Sequence, residues 1–297
     1  MQAARVVSAD VLRQVKLIEL RARRLVTTLF SGEYRSVFRG QGIEFAEVRA
    51  YELGDDFRAI DWNVSARMGS PFVKTFEEER ELTLFLLVDR SGSVNFGRPR
   101  YKADVALEVA AVLALAAARQ NDRVGALLFA DTVEQVVPPA KGRRHALRVI
   151  RDLLAFTPTG KGTNLGAALG YASRLLRHRA IVVVISDFRA SGWELPLQRL
   201  ARRHEVVAIT VDDPREIELP DSGWVELEDL ETGQRALVDT SDEGARLKLR
   251  IAAEELQLAR SRLLQRASVD HVPLMTDRPY AQTLHTAFAA RARRLHR

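Results

Sequence analysis

From residue 82 onward, short apolar runs alternate with stretches whose apolar side chains recur every three to four positions, and few folds accept that alternation. A run such as Leu84-Phe85-Leu86-Leu87-Val88 has no polar side, so it must be covered on both faces, as strands are in a parallel sheet with helices above and below. Strands are expected at 83–88, 124–129, 180–186, 205–211 and 269–275, and helices at 101–119, 143–155, 165–177, 193–203 and 279–295. Residues 132–137 alternate like an edge strand. The order is that of a doubly wound, mainly parallel α/β sheet of Rossmann type. One small insertion near 222–240 interrupts it: the segments 224–230 and 235–239 flank Glu231-Thr232-Gly233-Gln234, a hairpin turn. A helix over 242–266, carrying Leu247, Ile251, Leu256, Leu263 and Leu264, leads into the last strand.

The N-terminal part reads differently. Residues 8–31 form an amphipathic helix with Val11, Val15, Ile18, Ala22, Leu25, Val26 and Leu29 on one stripe, which is read as docked on its own domain rather than on a membrane. Residues 1–81 are taken as this helix plus an extension packed on the main domain, and residues 82–297 as the main domain. No apolar run of 18 residues occurs, so the chain is expected to be soluble and cytoplasmic.

Composition narrows the chemistry. With no cysteine and six scattered histidines, thiolate zinc sites, iron–sulfur clusters and cysteine nucleophiles are excluded, and a metal would be bound through oxygen. The 45 basic against 39 acidic residues give a net charge of +6. The excess is concentrated at the two chain ends, where it reads as solvated helix faces. Those ends lack an aromatic stacking platform, so nucleic acid is not the expected partner.

In a doubly wound sheet, ligands bind beyond the carboxyl ends of the strands. Three polar segments fall there: Asp89-Arg90-Ser91-Gly92-Ser93 after the first strand, Gly160-Lys161-Gly162-Thr163-Asn164 before a helix, and Asp187 after the run 180–186. Asp89, Ser91, Ser93, Thr163 and Asp187 offer two carboxylates and three hydroxyls. That donor set suits Mg2+, with Mn2+ or Ca2+ as substitutes. The hydroxyls would be direct ligands, and Asp89 and Asp187 direct or water-bridged ones. Neutral hydroxyls leave much of the cation's charge unquenched, so a partner's Asp or Glu could complete the shell. An acid of the chain itself, such as one in the Glu77 to Glu81 run, would instead block the site. The competing reading is that Asp89 and the serines only cap the following helix.

Taken together in this order, the five residues resemble the metal-ion-dependent adhesion site of the von Willebrand factor A fold over about residues 82–295. The segment Arg39-Gly40-Gln41-Gly42-Ile43-Glu44-Phe45, followed by Arg49, Tyr51, Gly54-Asp55-Asp56, Arg58, Ile60-Asp61-Trp62 and Ser65-Ala66-Arg67, is similar to the prokaryotic family called domain of unknown function fifty-eight. So are Asp212-Asp213-Pro214 and Glu231-Thr232-Gly233. The resemblance implies a non-enzymatic, Mg2+-dependent protein-binding module, an adaptor or chaperone-like partner of a MoxR-type AAA+ ATPase. The charged residues of 39–67 are read as an internal ion-pair network with Trp62 as a buried anchor.

Enzyme readings fare less well. Gly162 separates Lys161 from Thr163, which breaks the phosphate-loop pattern. No serine-hydrolase elbow surrounds Ser91 or Ser93. A metal-dependent phosphohydrolase in the same pocket is the alternative, but Ser91 stands where such enzymes carry a second Asp as acid and base.

Overall fold

The structure, a computed structural model, describes residues 9–29, 44–52, 54–77 and 82–295. The described residues fall into two compact units, one made of 9–29 and 83–295 and the other lying within 38–82. Helix α1 (Ala9–Leu29) therefore belongs with the sheet.

The smaller unit pairs β1 (Glu44–Ala50) antiparallel with β2 (Phe72–Glu77), with a bulge between Phe45 and Glu47. Between them lie a 3-10 turn at Phe57–Ala59 and the short helix α2 (Trp62–Met68). The acids of this segment hold the backbone. Asp56 accepts from the Arg58 N–H, and Asp61 accepts from the N–H groups of Asn63 and Val64 as the α2 N-cap. Arg49 grips Asp55 through two hydrogen bonds of 2.9 and 2.7 Å. These bonds, with the Glu52 N–H behind them, hold the Asp55 carboxyl below its usual range. Trp62 departs from expectation: it is 71% exposed rather than buried. Ser65 is the buried residue of α2, and its hydroxyl accepts from the Phe72 N–H at 2.8 Å. The charged residues at 39 and 78–81 lie outside the described residues.

In the larger unit the chain runs β3 (Thr83–Asp89), α3 (Lys102–Arg119), β4 (Arg123–Phe129), β5 (Val133–Ala140), α4 (Arg143–Ala155), α5 (Leu165–Leu175), β6 (Ile181–Ser186), α6 (Glu194–Ala201) and β7 (Glu205–Asp212). It continues with β8 (Trp224–Glu228), β9 (Arg235–Asp239), α7 (Glu243–Arg266), β10 (Asp270–Met275) and α8 (Tyr280–Leu295). Six strands form one sheet in the order β10-β7-β6-β3-β4-β5, all parallel except β5. Numbering only these strands along the chain gives 3-2-1-4-5-6, the doubly wound order, which reverses between β3 and β6. The sheet is mainly parallel and doubly wound, as expected from the sequence. The edge strand β5 continues through Pro138 and Pro139, beyond the expected stop at 137. An edge strand needs no ladder bond on its outer side, so proline is tolerated there.

Alternation along β3 divides the core. Phe85 and Leu87 join Leu127 and Phe129 against Leu165, Leu169, Trp193, Leu197 and Leu200 of one helical layer. The opposite face meets α3, whose buried residues run almost continuously from Lys102 to Ala117. A helix apolar on every side must itself be covered. Helices α1 and α4 do so: α1 buries Ala22, and its Arg21 and Glu19 pair with Glu108 of α3 and Arg143 of α4. Helix α7 buries only its C-terminal end, with Arg260 and Leu264 covered, while Leu247, Ile251 and Leu256 stay exposed. The basic C-terminus is partly spent internally. Arg291 is buried against Glu205 and Asp270, and Arg294 pairs with Asp270 at 2.7 Å.

Candidate metal centre and its polar surround

The reversal between β3 and β6 puts the ends of two buried strands side by side. Asp89 closes β3 with no exposed surface. Its Oδ1 accepts from the Ser91 N–H at 2.9 Å, which turns the chain into the 3-10 helix Gly92–Asn95, with Ser91 at the N-cap. That turn sets the Ser91 and Ser93 hydroxyls 3.1 Å apart. Ser186, the last residue of β6, donates to Asp89 Oδ2 at 2.5 Å and accepts from the Phe188 N–H.

Asp187 follows. Its Oδ2 accepts from Lys102 Nζ at 2.9 Å and its Oδ1 from the Arg189 N–H at 3.2 Å. Lys102 is wholly buried and also donates to Glu216 Oε1 at 2.7 Å; Arg189 reaches the other oxygen of Glu216 at 3.1 Å. Arg260, from α7, donates to the Asp187 carbonyl at 2.5 Å and forks onto both oxygens of Asp212.

These surroundings push the two aspartates apart. Burial, and then the charge of Asp187, raises Asp89 to about 6, against the help its hydrogen bonds give the anion. Burial would raise Asp187 too, but the Lys102 ammonium outweighs it and holds that carboxyl below its ordinary value.

The third segment reaches the same end of the sheet. The Gly92 N–H donates to the Lys161 carbonyl at 2.6 Å, and the Asn164 N–H to the Ala130 carbonyl at 2.7 Å. Thr163 lies between these anchors, and its hydroxyl is given to Glu231 Oε1 at 2.5 Å. The structure thus joins Asp89, Ser91 and Ser93 directly and sets Asp187 beside Asp89. Thr163 is tied in through the backbone of its loop. Among the described residues, no group of three or more His, Cys, Asp or Glu gathers at one point.

The donors here are carboxylate and hydroxyl oxygens, and Asp89 is a carboxyl kept from easy ionisation by burial and a like charge. Both features fit a hard divalent cation, which would favour the Asp89 anion. Sequence reasoning missed Ser186, Lys102, Glu216, Arg260 and the part played by Glu231. Asp212 was legible only through the segment Asp212-Asp213-Pro214.

Fold and strand-end site define a doubly wound α/β protein with an oxygen-lined polar centre at the switch point. The chain belongs to the family described as protein of unknown function DUF58, whose model matches residues 47–258. It is 36% identical over 223 residues to an uncharacterized protein, Rv1480, of Mycobacterium tuberculosis, covering 74% of this chain and 70% of that one. It is 33% identical over 110 residues to the uncharacterized protein YeaD of Bacillus subtilis, covering 36% and 25%. Among solved structures, an aerotolerance-related membrane protein from Bacteroides fragilis is similar at a TM-score of 0.47 and 16% identity, over 72% of this chain and 99% of that one. The VWA domain of SpRpn10 is similar at 0.35 and 17%, over 44% and 76%. Both scores fall below 0.5, so the strand order carries the fold.

Proposed function

We propose that this protein is a non-enzymatic binding module whose divalent cation, Mg2+ under cellular conditions, captures a carboxylate of a protein partner. The observation that supports this most is the buried Asp89 at the strand-order reversal, with the Ser91 and Ser93 hydroxyls 3.1 Å apart in the turn that follows it. Asp89, Ser91, Ser93 and Thr163 would hold the ion, with Asp187 as a second carboxylate behind it. When bound, the ion supplies a Lewis-acidic position that takes an anionic oxygen. The chain's own groups do the rest. Ser186 and the Ser91 N–H orient the Asp89 carboxylate, and Lys102 keeps Asp187 ionised.

The partner is a MoxR-type AAA+ ATPase, for which the module acts as adaptor in the cytoplasm. This rests on the family resemblance. Among the described residues, no helix is long and apolar enough to cross a membrane, which is consistent with that location. The test is retention from a native lysate by wild type and by Asp89→Ala, each with Mg2+ and with chelator. Retention of an AAA+ ATPase only by wild type with Mg2+ supports the reading. Equal retention by both proteins would refute the metal-mediated contact.

A further inference from the structure

The site carries a carboxylate that its ligand set does not need. The β8–β9 hairpin is a thin arm: Trp224 and Leu237 on its strands are 68% and 66% exposed. Its base is fastened at Thr240, whose hydroxyl donates to the Gly223 carbonyl and accepts from the Ser222 N–H.

Its tip is built to hold one conformation. Asp229 accepts from the N–H groups of Glu231 and Thr232, and the Asp229 carbonyl accepts from the Gly233 N–H at 2.7 Å. Gly233 takes a φ of 73°, which a side chain would disfavour. The arm then touches the candidate site twice. Glu231 Oε1 accepts the Thr163 hydroxyl at 2.5 Å. The Leu230 carbonyl lies over Gly92 so closely that a Cβ there would come within 2.2 Å of its oxygen. Gly92 is the residue between Ser91 and Ser93, so the tip is seated on the hydroxyl turn itself.

We propose that this hairpin is a built-in pseudo-ligand: Glu231 stands where a partner's carboxylate would meet the cation, and a partner gains the site by displacing the arm. The proposal rests on the metal-binding reading above and deepens it. The Glu77 to Glu81 run, the earlier candidate for such a block, lies almost wholly outside the described residues. Glu231 takes that role by position. The bond to Thr163 serves the metal-free state, since it spends the hydroxyl and carboxylate on each other. A cation would draw both oxygens to itself.

The test uses the full chain with Mn2+ alone as probe, and acetate as a free carboxylate. Water-proton relaxation counts the exchangeable waters on bound Mn2+ in wild type, Glu231→Ala and Asp89→Ala. The expected result is one more water on Mn2+ in Glu231→Ala than in wild type and several-fold weaker binding of the ion. Acetate should remove that extra water in the variant and change nothing in wild type. An equal water count in wild type and Glu231→Ala, with Mn2+ binding lost only in Asp89→Ala, would overturn the pseudo-ligand and leave the cation site standing. Absence of bound Mn2+ in all three proteins would overturn both.

Discussion

The Ser186 hydroxyl donates to Asp89 Oδ2 at 2.5 Å, linking the ends of the two strands between which the sheet order reverses. One short side chain thus fixes the carboxylate on which the proposed site depends. With its other oxygen on the Ser91 N–H, Asp89 is satisfied as an acceptor but remains a buried anion facing Asp187.

Asp89→Asn should therefore stabilise the metal-free protein. The folded-state value of about 6 lies above the ordinary 3.8, so the folded state binds the proton more tightly. Stability from this group is present below pH 4 and lost as pH rises through 6. The variant avoids that loss. Its advantage should grow between pH 4 and 6 and level off at about 3 kcal/mol. Denaturant melts of both proteins across that range, in chelator, check the prediction. A variant less stable than wild type at pH 7.5 would contradict it.

Lys102 has no exposed surface and is shared by Asp187 and Glu216. Lys102→Met keeps the volume of the stem and removes the charge, leaving the buried Asp187 carboxylate without its ammonium partner. The expected cost is about 3–5 kcal/mol, read as a fall in the denaturation midpoint. A loss under about 1 kcal/mol would fit a pair worth no more than a surface salt bridge.

His271 titrates with the opposite sign to Asp89. Burial, and then the charge of Arg260, lowers it to about 4, and its Nε2 lies 3.0 Å from the Thr210 hydroxyl. The unfolded chain binds the extra proton between pH 6.5 and 4, so stability from this group is full above 6.5 and falls as pH drops through that window. Compared with His271→Gln, wild type should lose stability on acidification from pH 6.5 to 4. Parallel pH profiles for the two proteins would contradict this.

Gly92→Ala tests the seating of the arm through sterics alone. The new methyl would stand 2.2 Å from the Leu230 oxygen and 3.1 Å from the Lys161 oxygen, so the hairpin tip must move. The expected cost is about 1–3 kcal/mol, with faster proteolysis within residues 229–234 and no loss of circular-dichroism signal. Unchanged cleavage would mean that the tip does not rest on the turn.

Legibility followed the physics of each feature. The buried strands were plain because runs such as Leu84–Val88 and Ile181–Ile185 lack a polar face, and their ends pointed to Asp89 and Asp187 through the switch-point rule. Lys102 was hidden because a lysine at a helix start reads as solvated, and only the fold brings it to Asp187, 85 positions away. Ser186 was absorbed into its strand, and Arg260 reads as one more charge on a mixed helix. Trp62 was misjudged because aromatic size suggested an anchor, whereas the seven-residue α2 packs through Ser65. Glu231 was seen as part of a turn. Nothing in the pattern could say that the turn folds onto Thr163, 68 positions earlier in the chain.

The central claim, a cation held at Asp89, is met most directly by titrating Mg2+ into metal-free wild type and Asp89→Ala by calorimetry, with circular dichroism to show that both are folded. The account predicts a saturable one-to-one heat in wild type that vanishes in the variant. The same heat in both proteins, or none in wild type, would contradict it.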